Sequence, residues 1–341
     1  MQPRRNPPRQ TGVSLVELMI AMAIGVFLIA GVITVFGKTR DLYRTNETAA
    51  RMQETARYAV STLEADLRMA NYWGLHSSAD LIQNAPGIDP ASRPDPDPTY
   101  SLPSDLAAAE IAGPINECGD LWAIKLAAYI EGSDGSYDLD CDPDVGTAVA
   151  GADQLSVRRA STVSLDAAEL AASDREIKLA TSRSQGTLFS GTALPAGYVA
   201  ARSEARAVRV HGYYVSDASD EGANRPSLRR KSLEYVGGVP VIQDTQVVPD
   251  VEDLQVELGM DNDGDLDADY FVPLNDAVTT ADTAVAARIW LMVRSERPEI
   301  GFTDDRTYEY ASRQGAAAYA PGDGFRRLLV SKTIALRNTR R

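Results

Sequence analysis

The sequence contains few of the side chains that most often carry catalysis or bind transition metals. Among its 341 residues it has two histidines, His76 and His211, and two cysteines, Cys118 and Cys141. It has no glycine-rich phosphate loop and no G-x-S-x-G nucleophile turn. His211 lies in an alternating strand pattern and His76 in a loop, where we expect it on the surface. With no catalytic constellation, the sequence predicts a protein that is not an enzyme.

Basic residues are also scarce. The formal net charge is −14 at pH 7, and the only basic clusters are residues 229–231 and 337–341, which we expect to be solvated. Affinity for nucleic acid comes largely from Lys and Arg that neutralise phosphates, so no nucleic-acid partner is expected.

Tryptophans are few as well: Trp73, Trp122 and Trp290. Exposed aromatic rings that stack on sugars would favour an adhesin or other binding protein, and this remains an alternative. Trp290 lies in a predicted strand and is expected in the core.

Two cysteines allow a single pairing. In an exported chain an even cysteine count indicates a disulfide, and closing this loop is worth ~3 kcal/mol in the chain-entropy model. A redox site would need a C-x-x-C spacing, and a zinc site would have to recruit His76 or His211. The sequence therefore predicts a structural Cys118–Cys141 disulfide.

Long apolar runs are absent except for one, residues 13–36, which holds a single ionisable residue, Glu17. About 20 apolar residues span a bilayer as a helix. Residues 1–12 contain three arginines and no acid, so we expect this leader in the cytoplasm and the remainder of the chain across the membrane. A cleaved secretory signal would be shorter. A plain signal anchor would not need a carboxylate, which costs roughly 2.5–3.5 kcal/mol in the bilayer.

The start of this segment resembles a known signal. Gly12, then Val-Ser-Leu-Val, then Glu17 and Leu18, is similar to the cleavage site of type IV pilins and pseudopilins. The resemblance implies that prepilin peptidase cuts after Gly12 and frees the amine of Val13. Val13 stands where the family usually has Phe, a departure that leaves N-methylation of the new terminus open.

The same resemblance implies a role for Glu17. A buried ammonium at Val13 and a buried carboxylate are each costly alone and become tolerable as a pair. In the family the pair forms between subunits, so Glu17 is expected to act in assembly. The implied partners are other minor pilins, the major pilin and prepilin peptidase. The implied location is the inner membrane with a periplasmic C-terminal domain, then the pilus.

After residue 36 the pattern becomes amphipathic. Apolar residues recur at spacings of three and four as far as residue 70, which predicts a single helix over residues 13–72, with 13–36 transmembrane. Gly25, Gly31 and Gly37 are weak points where the helix could bend.

The remaining chain predicts a sheet domain. Residues 73–150 contain a proline-rich stretch near 85–98 and are expected to be an irregular insertion that holds the disulfide. Residues 151–341 contain strand patterns separated by turns, at 154–159, 176–180, 207–215, 232–236, 251–258, 284–294 and 326–336. The predicted fold class is α+β and pilin-like: a long N-terminal helix packed on a mostly antiparallel sheet.

Several downstream features resemble PilW-type minor pilins. These are the large size, the run from Asp66 to Gly74, the pair Cys118-Gly119, the acidic loop near 261, and the segments 293–295 and 327–338. The resemblance implies a minor pilin that helps to prime assembly and may sit at the fibre tip. A minor pseudopilin of type II secretion is the alternative within the superfamily.

An acidic loop spans residues 261–269. It carries five aspartates at alternate positions: Asp261, Asp263, Asp265, Asp267 and Asp269. Calcium takes six to eight oxygen ligands, and loops of this spacing supply them. Leu266 and Val272 stand where an EF-hand has glycine and glutamate, and no helix pattern flanks the loop. A single structural calcium site and a solvated acidic turn both remain open, and no other cofactor is expected.

Overall fold

The computed structural model describes residues 12–76, 79, 82–86, 101–277 and 284–338. The chain divides into two compact units, Met1–Arg51 and Met52–Arg341. The predicted leader and most of the proline-rich stretch near 85–98 lie outside the described residues.

Helix α1, Leu15–Met69, is 55 residues long and continues from the first unit into the second. This confirms the predicted long helix. It is unbroken at Gly25, Gly31 and Gly37, and apart from the helix's own nearby backbone no atom lies within 4 Å of where their Cβ atoms would be. Glycine weakens a helix but keeps its backbone N–H, and α1 contains no proline that would remove one. The helix therefore continues through all three glycines.

Within the second unit, α1 buries one face at the predicted spacing of three and four residues. The buried apolar residues of this face are Met52, Ala56, Ala59, Leu63 and Leu67. They belong to the main hydrophobic core together with side chains from both sheets.

The first sheet has eight strands. They are β1 (Ile82–Gln83), β2 (Ile130–Ser133), β3 (Gln154–Ala160), β4 (Lys178–Thr181), β5 (Gly186–Phe189), β6 (Glu204–Ser216), β7 (Ser227–Val236) and β8 (Val239–Pro249). The order is β1-β5-β4-β6-β3-β2, with β7 beside β6 and β8 beside β7. All pairs are antiparallel except β1 with β5.

The second sheet has four antiparallel strands. They are β9 (Val251–Met260), β10 (Tyr270–Pro273), β11 (Ala284–Arg294) and β12 (Arg327–Ala335), in the order β10-β9-β11-β12.

The chain passes from β8 to β9 through one residue, Asp250, which has a φ of 66°. This left-handed conformation is uncommon for a residue other than glycine. Arg225 holds it with two hydrogen bonds to the Asp250 carboxylate, at 2.8 and 2.6 Å. The switch between the two sheets is thus fixed by a side-chain contact.

The described part of the chain also contains three short helices: α2 (Ala109–Asn116), α3 (Ala167–Ala172) and α4 (Leu274–Ala277). A 3-10 turn lies at Gly315–Ala317. Helix α3 begins with a capping box, in which Asp166 accepts from the backbone N–H of Glu169 and the Glu169 side chain accepts from that of Asp166.

The end of α1 meets the end of β12. The Asn338 side chain donates to the carbonyls of Arg68 and Ala70, at 3.3 and 3.1 Å. Lys332 donates to Glu64 at 2.5 Å. The last carbonyls of a helix lack intrahelical partners, so the C-terminal segment caps a helix that lies 268 residues earlier.

The structure differs from the sequence-based prediction in residues 73–150. This segment contains α2 and β2, and its Trp122, Ile124 and Leu126 are buried in the core. Helix α2 escaped prediction because Gly113 and Pro114, both unfavourable in a helix interior, lie within it. Its apolar face nevertheless buries Ile111 and Ile115, four residues apart.

Each predicted strand overlaps a strand of the structure, with differences of a few residues at the ends. Five strands had no predicted counterpart: β1, β2, β5, β8 and β10. Four of these have two to four residues, too few to show an alternating pattern. The fifth, β8, contains Pro240 and Pro249, which argue against a strand in sequence.

Candidate functional sites on the N-terminal helix and in the acidic loop

The candidate processing site lies immediately before α1. Gly12, Val13 and Ser14 precede the helix. The Ser14 hydroxyl accepts a hydrogen bond from the backbone N–H of Glu17 at 3.2 Å, an N-cap that satisfies one of the free donors at a helix start. The sequence thus begins the helix two residues after the predicted new terminus.

Glu17 lies in the first turn of α1 with its side chain exposed. A carboxylate near a helix N-terminus is favoured by the partial positive charge there. Among the described residues, Glu17 makes no side-chain ion pair. Its carboxylate is therefore available to a group from outside the chain.

The apolar part of α1 is long enough to cross a membrane. Its most apolar window has a mean hydropathy of 2.7, and none of that window is buried. Large apolar side chains cover the helix all round, with Phe27 at 79% and Phe36 at 72% exposure. A helix that is apolar on every face is suited to lipid or to a bundle of like helices, not to water.

The two cysteines form the predicted disulfide, Cys118–Cys141. Both are buried. The Tyr137 hydroxyl donates to the Cys141 carbonyl at 2.5 Å, and the Asp140 N–H donates to the Cys118 carbonyl at 3.4 Å. The bond ties the segment after α2 to the loop that leads into β3.

The acidic loop joins β9 to β10. Asp261 organises its start: one carboxylate oxygen accepts from the N–H of Gly264 at 2.7 Å and the other from that of Leu266 at 3.0 Å. These backbone donors hold the pKa of Asp261 below its usual value. Gly264 and Leu266 both have positive φ, 83° and 73°, so the loop turns tightly around the Asp261 carboxylate.

Three of the five aspartates come together. One carboxylate oxygen each from Asp261, Asp263 and Asp265 lies within 4.8 Å of the other two. Asp269 instead accepts from the N–H of Asn262 at 2.8 Å, and neither it nor Asp267 belongs to this group. The three oxygens are hard ligands of the kind that calcium prefers.

The structure places His76 differently from the sequence-based prediction. His76 is buried instead of exposed, since it forms a bridge with Trp73 and lies against Gly186.

Residues 229–231 were predicted to be solvated, but Arg229 and Lys231 are buried. Arg229 pairs with Asp244 at 2.9 Å and Asp220 at 2.7 Å, and Lys231 pairs with Asp144 at 2.7 Å. Buried cations are tolerated when carboxylates compensate them. Charge runs alone do not reveal such distant partners.

Aromatic exposure bears on the adhesin alternative. Trp73 and Trp122 are buried and Trp290 is half-buried. Clustered exposed tryptophans would have supported sugar stacking, and none of the three is exposed. The structure therefore gives this alternative no support.

A buried polar cluster around Asp66 was not predicted. Asp66 lies on the buried face of α1 and accepts from Arg159 at 3.1 and 3.0 Å, and from His211 and Tyr213. His211 and Tyr213 are on β6 and Arg159 is on β3. The cluster therefore joins α1 to two strands of the first sheet.

Electrostatics favour the ionised form of Asp66. Burial alone would raise its pKa, but the hydrogen bond and charge of His211, with Arg159 and Tyr213, hold the pKa well below its usual value. In sequence, the only signal was an acid at an apolar position of the helix.

A family model described as Prokaryotic N-terminal methylation motif matches residues 7–33, and one described as Type IV Pilus-assembly protein W matches residues 212–338. A solved structure, a type IV-like pilin from Thermus thermophilus, is 15% identical, with 58% of this chain and 82% of that chain covered and a TM-score of 0.27. No curated protein matches the chain.

The two family matches lie at opposite ends of the chain. The first contains Gly12, Val13 and Glu17 and the start of the apolar helix. The second contains the whole second sheet and the acidic loop. They indicate a structural protein that is anchored in a membrane and associated with other pilus components. The chain thus carries a prepilin-like N-terminal methylation motif, and its C-terminal part is similar to the PilW family of type IV pilus-assembly proteins.

Proposed function

We propose that this protein is a minor pilin that primes assembly of the type IV pilus and sits at the tip of the fibre. The observation that carries the proposal is α1, which presents an apolar surface with Glu17 in its first turn. The mechanism is packing. The apolar helix leaves the bilayer and enters a bundle of like helices, while the sheet domain selects the neighbouring subunits.

Cleavage after Gly12 would create the charge that Glu17 needs. The freed amine of Val13 is an ammonium in a medium of low dielectric constant, where an unpaired charge is costly. Pairing the Val13 amine of one subunit with Glu17 of its neighbour removes both penalties and fixes the axial register of the two helices. We therefore assign Glu17 to assembly and the Gly12–Val13 bond to prepilin peptidase.

The topology follows from charge and disulfide chemistry. The arginines of the leader favour a cytoplasmic N-terminus, and the Cys118–Cys141 bond favours an oxidising compartment such as the periplasm. The sheet domain would thus face the periplasm before it joins the fibre. A minor pseudopilin of type II secretion has the same helix and remains the second candidate.

Processing is tested by the intact mass and N-terminal sequence of the membrane-extracted protein, with and without prepilin peptidase. We expect a new terminus at Val13, and Gly12→Val to block cleavage. The matched control is Gly31→Val, because Gly31 is exposed in α1 with no atom within 4 Å of its Cβ position. An uncut Met1 terminus in the presence of active peptidase would refute the proposal.

Assembly is tested separately by recovery of the chain in sheared fibres. Glu17→Gln should be processed normally and yet be lost from fibres, because it removes the charge and keeps the shape. Recovery of the variant at the level of the unchanged protein would remove the role assigned to Glu17. Presence of the chain in a pilus preparation but not in a secretion pseudopilus separates the two candidates.

We further propose that the acidic loop binds one structural calcium ion through Asp261, Asp263 and Asp265. The support is the proximity of their carboxylate oxygens, with Asp267 and Asp269 as further ligands from the sequence spacing. Extracellular calcium sites have Kd values of ~10⁻⁴–10⁻³ M, so 10 mM calcium should stabilise the fold by about 1.4–2.7 kcal/mol.

A thermal melt with and without 10 mM calcium measures this. Asp263→Asn and Asp265→Asn should abolish the rise in Tm, and Asp305→Asn, an exposed aspartate elsewhere, should leave it unchanged. If the unchanged protein melts at the same temperature with calcium and with chelator, the loop is a solvated turn.

A further inference from the structure

Strand β12 leaves one backbone edge of the second sheet open. The backbone N–H of Leu336 donates to the carbonyl of Val285, and the backbone N–H of Ser295 donates to the carbonyl of Arg326, both at 2.8 Å. These two bonds show which residues of β12 direct their backbone groups toward β11. In an antiparallel ladder, alternate residues point their N–H and C=O groups away from the partner. The outward residues of β12 are Arg327, whose carbonyl accepts from Arg306 at 3.4 Å, and then Leu329, Ser331, Thr333 and Ala335. Within the described ranges the backbone N–H groups of the last four have no partner.

The other sheet edges are protected. Strands β1, β2 and β10 have two to four residues. The long edge strand β8 has prolines at Pro240 and Pro249, a register shift opposite Leu228 and Arg229, and helix α2 against it. Short strands, prolines, bulges and covering helices are the usual ways to prevent edge pairing.

Strand β12 has none of these protections. It has nine residues, no proline and an unshifted register with β11. Its one interior lysine, Lys332, is ion-paired with Glu64 of α1 at 2.5 Å. Ser331, Thr333 and Ala335 are exposed. An open edge of this length pairs with an extended strand, since main-chain hydrogen bonds supply the affinity.

Charge indicates the chemistry of that strand. Arg288 of β11 lies beside Thr333, stacked over Phe271 at 3.5 Å, and Arg337 follows β12 in an exposed position. In the described part of the chain Arg337 has no carboxylate within ion-pair distance, and Arg288 has only its cross-strand neighbour Glu257 of β9, which interacts with it electrostatically from beyond that distance. Opposite charges across neighbouring strands stabilise pairing and like charges oppose it. An acidic strand therefore fits this edge.

A second copy of β12 fits less well. Antiparallel pairing of two identical strands requires a two-fold axis normal to the sheet, which brings the two arginine-flanked edges together. It also reverses the direction of helix residues 52–69 between the copies. Subunits that assemble side by side from one membrane share one direction.

We propose that the open edge of β12 binds an acidic, extended strand of a different pilin-like subunit by β-augmentation. The proposal rests on the proposed minor-pilin function, because it takes its partner from the fibre. It adds the surface through which the sheet domain selects a neighbour.

The test uses the full-length chain in a host with its pilus machinery. A benzophenone amino acid replaces Ser331, and after irradiation the adduct is mapped by mass spectrometry. A probe at Val163, exposed in a loop of the first sheet region, controls for proximity. Thr333→Pro removes an outward N–H without removing a bond to β11, since proline is tolerated on that side of an edge strand. Thr333→Ala keeps the N–H and is its matched control.

We expect an adduct from position 331 to a strand of a pilin-like subunit. It should fall at least fivefold in Thr333→Pro and persist in Thr333→Ala, with both variants folded by thermal melting. Thr333→Lys, which places a charge on the edge, gives a second loss should the proline variant not fold. If the chain is processed at Gly12 and is present in fibres but gives no adduct, the interface is refuted and the proposed function is not. An unprocessed chain absent from fibres overturns the proposed function and this interface with it.

Discussion

The buried carboxylate of Asp66 gives a quantitative test of how α1 is held on the first sheet. Asp66→Ala removes the acceptor of Arg159, His211 and Tyr213 at once and leaves the half-buried guanidinium of Arg159 without its carboxylate. Breaking one side of a buried ion pair costs about 3–5 kcal/mol. Asp66→Asn keeps an acceptor and the shape, so it should cost about 1–3 kcal/mol, as for a weakened buried hydrogen bond.

The measurement is thermal unfolding of the full chain in detergent, followed by the fluorescence of the buried Trp73 and Trp122. Tm changes by roughly 2–4 °C per kcal/mol in domains of 150–250 residues, so Asp66→Ala should lower Tm by about 6–20 °C. Glu54→Ala is the matched control, because Glu54 is exposed on the same helix, and it should change stability by less than about 0.5 kcal/mol. Equal losses in the two variants would refute the reasoning.

The pH dependence gives an independent check on Asp66. Its pKa in the folded state lies below the ordinary value of 3.8. A lowered pKa contributes stability that is present above the unfolded-state value and is lost as pH falls through the folded-state value. The gap in Tm between the unchanged protein and Asp66→Asn should therefore shrink as pH falls below about 4. A gap that grows on acidification would contradict the assignment.

Three further predictions follow from other contacts. Replacing both Cys118 and Cys141 by serine should cost about 3 kcal/mol, measured by denaturant unfolding, and a loss under 1 kcal/mol would show that the loop is held without the bond. Asn338→Ala removes the cap on α1 and should cost about 1 kcal/mol, with a loss of helical circular dichroism; no change would argue against the cap. Burial raises the pKa of Asp153 to about 8, so its contribution to stability should fall as pH rises from about 4 to 8. If the difference in Tm between the unchanged protein and Asp153→Asn stays the same over this pH range, the pKa of Asp153 is not raised.

Much of the first unit was predictable from sequence because its signals are local. The apolar run of residues 13–36 and the 3–4 spacing after it depend only on near neighbours along one helix. The disulfide was predictable because two cysteines allow one pairing. The order of the strands was not, since short strands such as β5 and a proline-bounded strand such as β8 lack a pattern of their own.

The roles of individual polar residues depended on distant partners. Sequence placed His211 on a strand but could not bring it to Asp66, which is 145 residues away. It placed Arg229 and Lys231 on the surface because their partners Asp244 and Asp144 become neighbours only when the loops and β8 fold against β7.

The sequence by itself determined the membrane-competent helix, the Gly12–Glu17 spacing, the oxidised cysteine pair and the acidic loop. Each of these depends on composition or spacing over a few tens of residues. Only the tertiary structure decided which charges are buried, how the C-terminal segment caps α1 and which sheet edge stays open. These features arise from contacts between residues far apart in the chain, and such contacts exist only after the two sheets and the helix have packed.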